Sequence, residues 1–201
     1  MVKNVVFDVG NVLLNWNPLS IIKSAIPNAK QPNKLAQGFF NSDHWKMLNE
    51  GKIQEHELPI LYKQTLGINL EDFNKIIRVA KDYITPMCHS IALLDQLHKQ
   101  HIPMFVLTNN TLNIMSHLLR TYTFWTLFSG IICSAYIGHR KPSKKIFEYM
   151  LSEFSLDPLE TLYIDDNITN IETAELFNLQ TIHFDNIKQC KKEMLELGLI
   201  I

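Results

Sequence analysis

Four polar groups stand where apolar runs stop. Asp8 follows Val5-Val6-Phe7, Thr108-Asn109 follows Phe105-Val106-Leu107, and Asp165-Asp166 follows Leu162-Tyr163-Ile164. Arg140-Lys141 comes shortly after Ile131-Ile132-Cys133. As chemistry these are a nucleophilic carboxylate, a hydroxyl with an amide, a cation and an acidic pair. That set suits phosphoryl transfer, in which a carboxylate attacks phosphorus while cations and hydrogen-bond donors hold the moving charge. Each group alone is ordinary. An Asp closing a strand is more often a turn former, Thr108 and Asn109 read in isolation as turn and capping residues, and Lys141 as a surface lysine like Lys144 and Lys145. Adjacent Asp165-Asp166 resists that treatment, because side-by-side carboxylates repel unless water or a cation intervenes.

These groups act together only if the elements carrying them converge. Strand-like runs are expected at Lys3 to Phe7, Pro103 to Leu107, Gly130 to Ser134, Thr161 to Ile164 and Thr181 to Phe184. Helical patterns fall between them, over 90–100, 112–119, 143–154, 171–177 and 188–195. Strands spaced by helices imply βαβ units and a parallel sheet covered on both faces, whose carboxyl ends share one edge. The stretch 18–83 has a different texture. Apolar residues recur there at helical spacing, as in Phe73-Ile76-Ile77-Ala80, with breakers at Pro27, Pro32, Gly51, Pro59 and Gly67. It reads as an all-helical insert of about four helices, with a turn at Glu50-Gly51.

Bulk properties narrow the function classes. A chain of 201 residues with 46% hydrophobic and 19% charged residues is an ordinary globular composition. Net charge is −1 without a block of Lys and Arg, so the footprint of nucleic-acid binding is absent. Cys88, Cys133 and Cys190 are far apart and form no CxxC or Cys/His cluster, which fits a reducing compartment. No long apolar run suggests a leader or a membrane span, and a cytoplasmic protein is the expectation.

In this order the motifs acquire a resemblance. Phe7-Asp8-Val9-Gly10-Asn11-Val12, Val106-Leu107-Thr108-Asn109, Arg140-Lys141-Pro142 with Ile146-Phe147, and Ile164-Asp165-Asp166-Asn167 with Asn170 resemble the haloacid dehalogenase superfamily. The likeness is to its phosphatase branch, especially sugar-phosphate phosphatases and the phosphatase domain of soluble epoxide hydrolases. It implies an α/β, Rossmann-like three-layer parallel sheet with a small all-helical cap after the first strand. Residues 1–17 and 84–201 would form the catalytic core and 18–83 the cap. The implied activity is Mg²⁺-dependent hydrolysis of a small phosphorylated metabolite, such as a sugar phosphate, through an aspartyl-phosphate. In that scheme Asp8 is the nucleophile, and Asp8, Asp166 and the Gly10 carbonyl are metal ligands. Asp165 joins them directly or through water. Lys141 neutralises the phosphoryl oxygens and keeps Asp8 ionised, and Thr108 and Asn109 bind the phosphate.

One position departs from the family. The usual first motif has a second Asp two residues after the nucleophile, as general acid and base, and here that residue is Gly10. General acid–base catalysis contributes about 10²–10⁴-fold, so substrates with good leaving groups, such as an anomeric sugar phosphate, depend least on it. A 2-haloacid dehalogenase also lacks that acid but has no use for Asp165-Asp166. A non-catalytic phosphate-binding module would not need Asp8, Lys141 and Asp166 together. Asn170 either orients the acidic loop or caps its helix, and His139 and His183 read as structural. Trp16 and Trp45 read as packing residues where cap and core meet.

Overall fold

The computed structural model describes residues 1–200. Its strands alternate between two buried faces. In β1 (Asn4–Phe7), Val5 and Phe7 enter one core layer and Val6 the other. In β2 (Met104–Thr108), Met104 and Val106 oppose Phe105 and Leu107 in the same way. With β3 (Gly130–Cys133), β4 (Thr161–Asp165) and β5 (Gln180–His183) they form one five-stranded sheet in the order β3-β2-β1-β4-β5. Every pairing is parallel, as strands apolar on both faces require.

Between β1 and β2 lies the helical insert: α1 (Pro18–Ala25), α2 (Pro32–Phe40), α3 (Asp43–Asn49), α4 (Leu58–Leu66) and α5 (Leu70–Tyr83). The insert holds five helices against the expected four or so, and apolar runs mark only α2, α4 and α5. Helices α1 and α3 are only 8 and 7 residues long and show too few turns for periodicity to stand out. Their caps carried the signal instead. The Asn17 side chain accepts from the Ser20 N–H ahead of Pro18, and the Ser42 hydroxyl accepts from the Trp45 N–H. An aromatic cluster holds the insert, with Phe39 4.5 Å from Tyr62 and 5.7 Å from Phe73 between ring centres. The buried Tyr62 hydroxyl donates to the Phe39 carbonyl at 2.7 Å, so this ring is not left with an orphan polar atom.

The remaining helices cover the sheet. Helices α6 (Cys88–Lys99) and α7 (Leu112–Thr121) pack on the Val5/Phe7 face, as does α11 (Ile187–Glu196). The four-residue α8 (Ser134–Ile137) follows β3. Helices α9 (Lys144–Glu153) and α10 (Ile168–Glu175) pack on the Val6 face through Ile146, Phe147, Met150 and Ile171. Sheet and two helical layers make the three-layer α/β arrangement anticipated from the alternation of elements. No helix among the described residues is long and apolar enough to cross a membrane.

The insert meets the core at α8. The Ser134 hydroxyl donates to the Asn49 carbonyl, and Glu50 pairs with Arg140 at 3.4 Å. Gly51 adopts φ +63°, and a Cβ there would sit 2.3 Å from the Ala135 carbonyl oxygen. The turn expected at Glu50-Gly51 is present, and it also brings two backbones into a contact only glycine permits. Gly51→Ala combines left-handed strain with a backbone clash. It should destabilise the protein by about 2–4 kcal/mol in urea unfolding, and an unchanged midpoint would show that this contact bears no load.

Candidate active site

The sheet order determines where the polar groups meet. From β1 the chain moves outward through β2 to β3, then returns to place β4 on the other side of β1. Open α/β sheets form a crevice at the carboxyl ends of strands on either side of such a switch. Phe7 pairs with Ile164, and the Asp8 N–H donates to the Ile164 carbonyl at 2.9 Å, so Asp8 and Asp165 leave the sheet side by side.

Lys141 lies between them and is only 1% exposed. Its Nζ donates to Asp8 Oδ1 at 2.7 Å, Asp165 Oδ2 at 2.7 Å and the Leu107 carbonyl at 2.8 Å. An ammonium has three protons, and all three are used. Burial opposes its charge, yet the Asp165 and Asp8 carboxylates outweigh burial and raise its pKa above the ordinary lysine value. Of the two roles expected for Lys141, the one visible here is holding Asp8. No proton is left over for a phosphoryl oxygen.

Asp165 is fully buried and saturated. Its Oδ1 accepts from the Asn167 N–H at 2.8 Å and Asn170 Nδ2 at 2.9 Å. Its Oδ2 accepts from Lys141, from Asn170 at 3.0 Å and from the Tyr163 hydroxyl. Burial pushes this carboxyl up, but Lys141 and the surrounding donors overcome it and hold Asp165 below the usual carboxylate range. One oxygen each from Asp8, Asp165 and Asp166 lie within 4.8 Å of one another, a spacing that suits a shared cation. With both its oxygens engaged, Asp165 fits the indirect role better than the direct one. Asn170 orients the acidic loop, while Asn167 caps α10 by accepting from the Thr169 N–H.

Asp8 and Asp166 remain more available. Asp8 lines the cleft, and its Oδ2 has no partner among the described residues. Burial, aided by the Asp165 and Asp166 charges and opposed by Lys141, pushes its carboxyl up to about 7. Burial likewise raises Asp166, against a 3.0 Å hydrogen bond from Asn11 Nδ2. Asn11 adopts φ +55°, a conformation Asn tolerates better than most residues, and its Oδ1 accepts from the Trp16 N–H at 3.0 Å. Gly10 lines the same cleft, and its carbonyl accepts no hydrogen bond among the described residues. Three carboxylates facing one ammonium leave a formal −2, and hard oxygen donors of this kind suit Mg²⁺.

Thr108 and Asn109 close β2 on the cleft wall. The Thr108 side chain is buried there, and the Asn109 amide holds the lysine loop. Its Nδ2 donates to the Lys141 carbonyl at 2.9 Å and its Oδ1 accepts from the Lys141 N–H at 2.8 Å. The side chain expected to bind phosphate thus also clamps the lysine loop, with one Nδ2 proton left over. Trp16 and Trp45 both line the cleft. His183 Nε2 lies 3.0 Å from the Asp166 carbonyl, a main-chain contact in keeping with a structural role. Sequence reasoning missed Tyr163, Asn11 and Ser134. Tyr163 was detectable, because residues two apart on a strand share a face and it precedes Asp165 by two.

A family model described as haloacid dehalogenase-like hydrolase matches residues 5–184. The chain belongs to the haloacid dehalogenase-like hydrolase family. A sesquiterpene phosphatase of Aspergillus oryzae is 25% identical, covering 94% of this chain and 93% of its own. A D-ribitol-5-phosphate phosphatase of Bacteroides thetaiotaomicron is 22% identical, over 96% of this chain and 97% of its own. Among solved structures, a mutant family enzyme of the same bacterium, in complex with magnesium and inorganic phosphate, superposes with TM-score 0.78. It is 19% identical and covers 91% of this chain and 94% of its own. Membership accounts for the order of the four motifs along a hydrolase fold.

The electrostatics make a pH prediction for metal-free protein. Folded Asp8 keeps its proton up to about 7, whereas the ordinary value is 3.8. Between those values only the folded chain holds that proton, so this group's contribution to stability is lost as pH rises through the window. In EDTA, the melting temperature of Asp8→Asn relative to wild type should climb by roughly 5 °C or more between pH 4 and pH 8. A pH-independent difference would refute the raised value.

Proposed function

We propose that the protein is a Mg²⁺-dependent phosphatase that hydrolyses a small phosphate ester through an aspartyl-phosphate on Asp8. The observation that carries this reading is the asymmetry of Asp8: Oδ1 is held by Lys141 and Oδ2 has no partner, at the cleft beside two further carboxylates. The activities of the sesquiterpene and ribitol phosphate phosphatases support phosphomonoester hydrolysis as the reaction class.

Asp8, Asp166 and the Gly10 carbonyl would hold Mg²⁺, with Asp165 behind them. When bound, the ion offsets the −2 of the site and the charge of the phosphate dianion. Asp8 Oδ2 attacks phosphorus, and the bond from phosphorus to the leaving oxygen breaks. That oxygen collects its proton from water. A second water then attacks the same phosphorus, releasing inorganic phosphate and returning Asp8 to its carboxylate. Lys141 keeps Asp8 oriented and favours its ionised form, while Asn109 fixes the loop that carries Lys141. The Thr108 hydroxyl would donate to a phosphoryl oxygen. Helices α1–α5 would serve as the cap over residues 1–17 and 84–201, excluding water from the cleft.

Asp8→Asn should abolish release of p-nitrophenol from p-nitrophenyl phosphate while its circular dichroism stays native, and EDTA should stop the wild type reversibly. Activity surviving in that variant would refute the covalent step. EDTA-insensitive halide release from 2-chloropropionate would point to dehalogenation instead.

Gly10 offers a second test. A Cβ there meets only the Trp16 Cβ, at 3.7 Å, so an acid can be restored without a main-chain clash. Gly10→Asp should raise kcat on glycerol phosphate by on the order of 10²-fold and affect p-nitrophenyl phosphate far less, because p-nitrophenolate leaves without a proton. Equal changes on both esters would show that leaving-group protonation is not what Gly10 removes.

A further inference from the structure

The cleft encloses about 390 Å³, room for considerably more than a phosphate. Each of its amides except Asn41 makes at least one hydrogen bond within the protein. Asn11 binds Asp166 and the Trp16 N–H, Asn15 binds Thr85, Asn49 donates to the Trp45 carbonyl, and Asn109 and Asn170 are engaged as described. Lys46 pairs with Asp43 at 2.8 Å, and Arg140 with Glu50. Among the described residues, the Asn41 amide, the Thr108 hydroxyl and the indole N–H groups of Trp16 and Trp45 line the cleft with no polar partner.

Away from Asp8, Thr108, Lys141 and Asp166 on the floor, and from the paired cations and the amides, Asn110 and Asn167 among them, the lining is apolar. Trp16 and Phe40 stand edge to face at 5.2 Å, and Phe40 and Trp45 at 5.0 Å, forming a continuous wall of three rings. Leu14, Ile84 and Leu118 extend it. A polyol or sugar laid against these rings would bury hydroxyls on surfaces that cannot pair with them, at about 1–3 kcal/mol each. A hydrocarbon frame instead gains by leaving water.

We infer that the leaving group of the substrate is apolar: a phosphate monoester of a hydrophobic alcohol or phenol, its carbon frame lying against Trp16, Phe40 and Trp45. This rests on the phosphatase reading above and narrows it away from sugar phosphates.

The test measures phosphate release by Mg²⁺-loaded wild-type protein from farnesyl phosphate, 1-naphthyl phosphate, glucose 1-phosphate and glycerol phosphate, with p-nitrophenyl phosphate as control. kcat/KM for both apolar esters should exceed that for both polar esters by about 100-fold. Polar esters turned over as well as apolar ones would overturn the inference while leaving the phosphatase reading intact. No release from any ester, control included, would overturn the phosphatase reading itself. Trp45→Leu should cut the apolar-to-polar ratio of kcat/KM by about 10-fold. Equal loss on both ester types leaves that ratio unchanged and would remove Trp45 from the substrate wall. The wild-type panel decides the main point even if this variant does not fold.

Discussion

A single ammonium buried between two carboxylates is the constraint on which this structure turns. An isolated charge in a protein interior costs several kcal/mol, so Lys141 is tolerable only where each of its protons finds an acceptor. Those acceptors come from three strands: Asp8 after β1, Leu107 on β2 and Asp165 on β4. They converge because neighbouring parallel strands end together. In return, Lys141 ties the three central strands to one another at the edge where the chemistry lies. Asn109 completes the arrangement by holding the Lys141 main chain on both its N–H and its carbonyl.

The same geometry divides the carboxylates by task. Asp165 meets donors on every side and stays ionised, a fixed charge within the scaffold. Asp8 and Asp166 are raised because burial and their acidic neighbours outweigh the nearby donors. They are the groups with affinity left to give, to a proton or to a cation. Two adjacent aspartates in sequence thus differ in function because one faces the sheet and the other the cleft.

Much of this was legible in the sequence because a parallel sheet turns a one-dimensional pattern into a shared edge. An apolar run followed by a polar residue is enough to locate Asp8, Thr108 and Asp165. What could not be read was how many partners each side chain meets. Asn109 looks the same in sequence whether it binds a phosphate or clamps a loop. Lys141 gives no sign that its donors are exhausted. The insert was legible in kind and miscounted, because α1 and α3 announce themselves by caps rather than by periodicity. Tyr163 is overlooked for another reason: in a buried strand an aromatic residue looks like packing, and only its spacing from Asp165 shows that its hydroxyl completes the Asp165 shell.

Asn11 joins two parts of the cleft that differ in chemistry. One end of its amide holds Asp166 and the other the main chain of Trp16, so the acidic floor and the aromatic wall share a support. Phe40 and Trp45, contributed by α2 and α3, have no such tie. A substitution at Phe40 or Trp45 therefore reshapes the wall without acting on a carboxylate through Asn11. A shift of the Trp16 main chain, by contrast, reaches Asp166 through Asn11, so on that side the aromatic wall and the acidic floor move together.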